Sequence, residues 1–241
     1  MNPSISKIPS SVSLQSGRVT RGFTLVEALV VISIIAILAV IVTSLAGHVR
    51  RSASSVVCVG QMRQIGNAMF LYSEENQGRL PTSPVHGSLH TGQGPWFNRE
   101  ERRLQYLIGQ YLGSPTSNTW STSATVMTYD PAFAWPALLA DCKQGSASIL
   151  LSSSVKIRNE DGTSGKGSAW AGTKPLGSSY FLGRPLRDIE DPRLQTVFTE
   201  VDQKNTTAGW KNNCPPRPIH GNYRNTLFFD WHVDRVAVKS N

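Results

Sequence analysis

Residues 21–45 read RGFTLVEALVVISIIAILAVIVTSL, and from 23 to 45 the only ionisable side chain is Glu27. As a helix rising about 1.5 Å per residue, those positions extend about 34 Å, enough for a hydrocarbon core of about 30 Å. Lys7, Arg18 and Arg21 precede the run without an intervening acid. That bias predicts a cytoplasmic N-terminus and export of the chain beyond Leu45. A cleaved secretory signal competes, with Ser44-Leu45-Ala46 as its site. The run is longer than the usual apolar core of such a signal, however, and it carries a carboxylate at its start. An acid in a spanning helix is costly, so Glu27 needs a partner.

The segment also explains the composition. The chain has 241 residues, 39% apolar and 17% charged, with a formal net charge of +8. The first 22 residues hold +3 of that charge, leaving +5 on the remainder. There the basic residues are dispersed among acids, as in Arg99-Glu100-Glu101-Arg102-Arg103, and trace no stripe that would follow phosphates. Nucleic acid is therefore not an expected partner.

Beyond the apolar run there is no proline until Pro81, and Cys58, Met62, Ile65, Met69 and Tyr72 recur at spacings of 4, 3, 4 and 3. This is one face of a helix, and it needs a sheet to cover it. Asn76-Gln77-Gly78 supplies a stop. The expectation is one helix over residues 23–75, half in lipid and half against a domain. Gly60 and Gly66 weaken it locally, by about 1 kcal/mol each relative to Ala.

Arg21-Gly22-Phe23-Thr24-Leu25-Val26-Glu27 and the apolar stretch after it resemble the leader junction of type IV pilins and type II secretion pseudopilins. The resemblance implies that a prepilin peptidase cleaves after Gly22 and N-methylates Phe23. It also implies that Glu27 neutralises the new amine of its own or a neighbouring subunit during assembly. Further on, Cys58, Gln64, Ile65, Gly66, Ala68, Tyr72, Asn76, Gly78 and Pro81 match a prepilin-type subset with C-x-x-N-L-x-Q-I-G-x-A followed by Y-x-x-x-N-x-G-x-x-P. Gln61-Met62 stands there in place of Asn-Leu.

The remainder reads as loops with late strands. A short helix is predicted over 99–111, ending at Gly113, with Leu104, Leu107, Ile108 and Tyr111 on one face. Strand-like text occupies 179–182, 194–201 and 225–238, the last as a hairpin turning near Asp230-Trp231. Asn159-Glu160-Asp161-Gly162-Thr163 superficially suggests a calcium loop, but its carboxylate spacing fits no EF-hand, so a surface turn is expected. Helix first and antiparallel sheet after it is an α+β order with long loops, pilin-like by the resemblance. The expected organisation is a leader at 1–22, a spanning half-helix at 23–45, an exported half-helix at 46–76 and an exported domain at 77–241.

His220, Asp230 and His232 resemble the H-x9-D-G motif of the same subset, with Trp231 in place of Gly. A type I′ turn needs positive φ at both central residues, which Trp adopts poorly. Either the turn is longer or an aromatic is set at its tip. A structural hydrogen bond from His220 to Asp230 is expected, with no metal ligand set, no cofactor and no catalytic group. Three cysteines, Cys58, Cys142 and Cys214, allow one disulfide and one leftover thiol, and spacing does not choose the pair. The resemblance implies that the helix cysteine pairs with one in a later Cys-Pro, and here Cys214-Pro215 is the only one.

The leading reading is a non-enzymatic subunit of a type II secretion pseudopilus or type IV pilus-like filament. Its partners would be a prepilin peptidase, other pilin-like subunits packed through 23–45, and an inner-membrane assembly platform. It would start as a single-pass inner-membrane protein with its C-terminal domain in the periplasm. The alternative is an anchored or surface-displayed module binding polysaccharide or DNA through its six tryptophans.

Overall fold

The computed structural model describes residues 24–97, 102–113, 128–129, 131–135, 147–159 and 161–238. The chain divides into two compact units, Met1–Gly47 and His48–Asn241, and helix α1, Leu25–Glu75, contributes to both. In the first unit every described residue from 24 to 43 is exposed. Over Leu25–Thr43 the helix is long and apolar enough to cross a membrane. Its few hydroxyls are satisfied internally: Ser33 Oγ donates to the Val30 carbonyl at 2.7 Å and Thr43 Oγ1 to that of Ala39 at 2.9 Å. A helix bounded by lipid needs its polar groups paired in this way.

In the second unit α1 buries the anticipated stripe. Cys58, Met62, Ile65 and Met69 are fully buried, with Ser55, Ala68 and Ser73 beside them, and Tyr72 packs half-buried at the end. The helix stops where the sequence predicts. Gln77 and Gly78 both take positive φ, and the Gly78 amide returns to the Ser73 carbonyl at 2.7 Å. This closure satisfies carbonyls that have no partner within the helix.

The stripe is covered by a five-stranded antiparallel sheet in the order β1-β4-β7-β8-β9. Its strands are β1 (Gly92–Gln93), β4 (Ile149–Leu151), β7 (Thr196–Glu200), β8 (Tyr223–Phe228) and β9 (Val233–Ala237). Val197, Phe198, Ile149, Leu151 and Leu227 supply its buried apolar side chains. Two smaller pairs flank it: β2 (Trp96–Phe97) with β3 (Thr128–Tyr129), and β5 (Val155–Arg158) with β6 (Ser164–Gly167). The short helix α2 spans Leu104–Ile108, continues as a 3-10 turn over Gly109–Leu112, and ends on Gly113 at φ 66°. Leu104 and Ile108 are fully buried, as the apolar face predicts.

The architecture is α+β, with the helix before the sheet. Some local expectations change. Residues 179–182 form no strand and contribute only a bridge between Thr173 and Leu182. The stretch expected as a plain loop holds the β5–β6 hairpin, whose alternate residues Val155 and Ile157 point into the core. Gly66 marks a close approach, since a Cβ there would lie 3.2 and 3.3 Å from the Leu227 methyls; at Gly60 nothing lies within 4 Å. Gln61, which replaces the subset's Asn, donates from Nε2 to the carbonyls of Pro131 and Ala134 at 3.1 and 2.9 Å and ties α1 to that segment.

Candidate functional site

Two places carry the residues that the sequence singles out. At the start of α1, Thr24 and Glu27 form a capping box. The Glu27 amide donates to Thr24 Oγ1 at 3.2 Å, while the Thr24 amide and hydroxyl both donate to Glu27 Oε2 at 2.9 Å. Two orphan donors are thereby satisfied reciprocally, and a carboxylate sits at the positive end of the helix dipole. Gly22 and Phe23 lie outside the described residues, immediately before this cap. Sequence reasoning missed Thr24, although its signal, T-x-x-E before an apolar run, is legible.

The C-terminal motif separates into two constellations, and the expected bond between His220 and Asp230 does not form. His220 Nε2 pairs with Glu200 Oε1 at 3.0 Å, with both side chains nearly fully buried. Glu200, on β7, also accepts from the Asn225 backbone amide at 2.9 Å and from Asn225 Nδ2 at 3.0 Å on β8. The neighbouring acid Asp202 is held bidentately by Arg224, whose Nε and Nη2 lie 2.6 and 3.0 Å from its two oxygens. The His220 ring stacks on Tyr223 with centroids 5.6 Å apart, and the Arg235 guanidinium lies 5.0 Å from the Tyr223 centroid.

Asp230 instead works in the β8–β9 turn. It bonds the ring and backbone of His232, and Arg193 lies 3.6 Å from its other oxygen. Partial burial pushes the Asp230 carboxyl upward, but the His232 bonds and the His232 and Arg193 charges outweigh it and hold the carboxyl below the usual range. The turn is a three-residue loop. Trp231 donates its amide to the Phe228 carbonyl at 2.9 Å, and Phe228 donates to that of His232 at 3.0 Å. Trp231 itself takes φ 68°, the left-handed position that a three-residue hairpin loop usually gives to Gly. Its ring meets Phe70 of α1 edge-on at 6.3 Å. The turn is therefore longer than a two-residue one, and the aromatic at its tip is anchored.

Cys58 and Cys214 are both buried, in separate apolar clusters, and are not joined to one another. Cys142 lies outside the described residues. Trp135 and Trp170 are buried, Trp210 and Trp231 half-buried. The stretch that superficially suggests a calcium loop is a hairpin turn: Asp161 Oδ1 accepts from the Thr163 amide and hydroxyl at 2.9 and 2.6 Å, and Gly162 takes φ 80°. These bonds hold the exposed Asp161 carboxyl below its ordinary range.

Residues 17–43 match the family defined by the prokaryotic N-terminal methylation motif. No curated protein and no solved structure matches the chain. The N-terminal segment thus carries the methylation motif of prepilin-type proteins, and the apolar helix fits a single-pass membrane anchor of that type.

Proposed function

We propose that the chain is a structural subunit of a type II secretion pseudopilus or type IV pilus-like filament. The observation that carries this reading is the methylation motif over residues 17–43, overlapping an exposed apolar segment, 24–43, whose only acid, Glu27, caps the first turn of α1. A prepilin peptidase removes 1–22 by cutting after Gly22 and methylates the Phe23 amine. The new terminus then directly precedes the Thr24 cap. The segment 23–45 holds the subunit in the inner membrane with 46–76 and 77–241 in the periplasm. An inner-membrane platform then extracts it, and neighbouring 23–45 helices replace lipid around it. Those helices present uniform apolar surface, so packing alone specifies register weakly. A carboxylate paired with a neighbour's amine specifies it strongly, because burying it unpaired is costly.

The role is architectural rather than enzymatic. Trp135 and Trp170 are buried and Trp210 and Trp231 half-buried, so these four offer the polysaccharide- or DNA-binding alternative no exposed aromatic platform. Replacing Glu27 with Ala tests the reading. Incorporation into filaments should be lost while the second unit melts unchanged, and filaments assembled at the normal level from the variant would refute the role of Glu27.

A further inference from the structure

Cys58 Sγ, a Glu200 carboxylate oxygen and a His220 ring nitrogen all lie within 4.8 Å of one another, and all three residues are buried. They come from α1, from β7 and from the segment before β8, so tertiary packing alone brings them together. A thiolate, an imidazole and a carboxylate are the donor set of a zinc-like ion. Around a tetrahedral ion with bonds of about 2.0–2.3 Å the ligand atoms stand roughly 3.3–3.6 Å apart. The 3.0 Å between His220 and Glu200 and the 4.8 Å limit across the trio differ from that by on the order of one ångström.

Charge points the same way. Glu200 is buried, and the nearby guanidinium of Arg224 is committed to Asp202. A dication against one thiolate, one carboxylate and a neutral imidazole leaves the cluster neutral. The surroundings resemble the outer shell of a metal site. Asn225 donates to Glu200 twice, and its Oδ1, fully buried, finds no donor among the described residues. Stacking on Tyr223 fixes the His220 ring, and the Tyr223 hydroxyl is itself tied to Ser55 Oγ at 3.1 Å. Such partners orient metal ligands. A cavity of about 520 Å³, lined by Ser52, Ser55, Ile219, His220, Tyr223 and Arg235, opens beside His220.

We propose that Cys58, Glu200 and His220 bind one divalent transition-metal ion of the zinc type, clamping α1 to β7 and to the approach to β8. On binding, the Cys58 thiol loses its proton to solvent, the proton held between His220 Nε2 and Glu200 Oε1 passes by way of solvent to His220 Nδ1, and that hydrogen bond is exchanged for two metal bonds. A water completes the fourth position.

The test uses the full chain in detergent micelles. After dialysis against chelator and reloading, metal analysis should find about one zinc per chain. Cobalt(II) should give the thiolate charge-transfer band and intense visible bands of a tetrahedral site. Cys58→Ser and His220→Gln should each weaken cobalt binding by roughly 100-fold or more and abolish the rise in melting temperature with zinc. Melting of these variants in chelator shows whether they fold. The wild-type cobalt spectrum decides the matter even if they do not. Three results would overturn the site: a wild-type chain with no thiolate–cobalt band, an unchanged band in Cys58→Ser, or peptide mapping that finds Cys58 in a disulfide in protein isolated without reductant.

Discussion

Replacing each of the two helix glycines with alanine probes how α1 meets the sheet. At Gly60 an added Cβ meets nothing within 4 Å. Alanine there gains helix propensity at no steric cost, about 0.8–1.0 kcal/mol. At Gly66 the same methyl would lie 3.2 and 3.3 Å from the two Leu227 methyls and 3.7 Å from the Trp231 ring. Leu227 is fully buried and its strand is hydrogen-bonded on both sides, so it has little room to retreat. Overpacking of this kind costs about 1–3 kcal/mol. Gly60→Ala should therefore stabilise by about 1 kcal/mol, and Gly66→Ala should lose up to about 2 kcal/mol once its propensity gain is subtracted. For a unit of this size the two variants should melt about 4–8 °C apart, taking a separation of about 2 kcal/mol. The assay is thermal and urea unfolding of the full chain in micelles, followed by tryptophan fluorescence. Adding Leu227→Val to Gly66→Ala should recover part of the loss, giving a double variant better than the sum of the singles. If Gly66→Ala stabilises as much as Gly60→Ala, α1 does not lie on β8 as described.

Arg224→Met strands Asp202, which is buried, and should cost about 3–5 kcal/mol in urea unfolding, while Arg224→Met with Asp202→Leu should be milder. Trp231 holds positive φ at some expense, so Trp231→Gly should be less destabilising than Trp231→Ala by about 1 kcal/mol, although both lose the contact with Phe70. The Asp161 carboxyl is held low by the Thr163 hydroxyl and amide. Because its folded value is depressed, its contribution to the β5–β6 turn is present above the unfolded value of about 3.9 and disappears as pH falls through the folded one. An NMR titration should place its midpoint below that of a free aspartate, and Thr163→Ala should move the midpoint back up.

The helix is legible in the sequence because its signals are local and repeated. A 3.6-residue stripe from Cys58 to Tyr72 and a stop at Asn76-Gln77-Gly78 need no tertiary knowledge, and strands β7 to β9 advertise themselves through β-branched and aromatic residues. Strand β6, Ser164–Gly167, has neither, and it exists because β5 pairs with it and its turn is closed by Asp161 and Gly162. Strand β1 is two residues long and is defined only by its pairing with β4. The partner of His220 escapes sequence reading for a related reason. Asp230 is near in sequence and on the same motif, but the turn carries it away to His232 and Arg193, and the strand pairing of β7 with β8 delivers Glu200 instead. Trp231 shows the opposite case, in which a departure from a motif is visible in the text and only the hairpin geometry explains how the backbone accommodates it.

Processing and assembly are tested most directly by intact-mass and N-terminal peptide analysis of the protein from its native membranes. A chain beginning at N-methylated Phe23 is the expected result. A chain retaining Met1, or one beginning at Gly47 after signal cleavage, would contradict the prepilin reading.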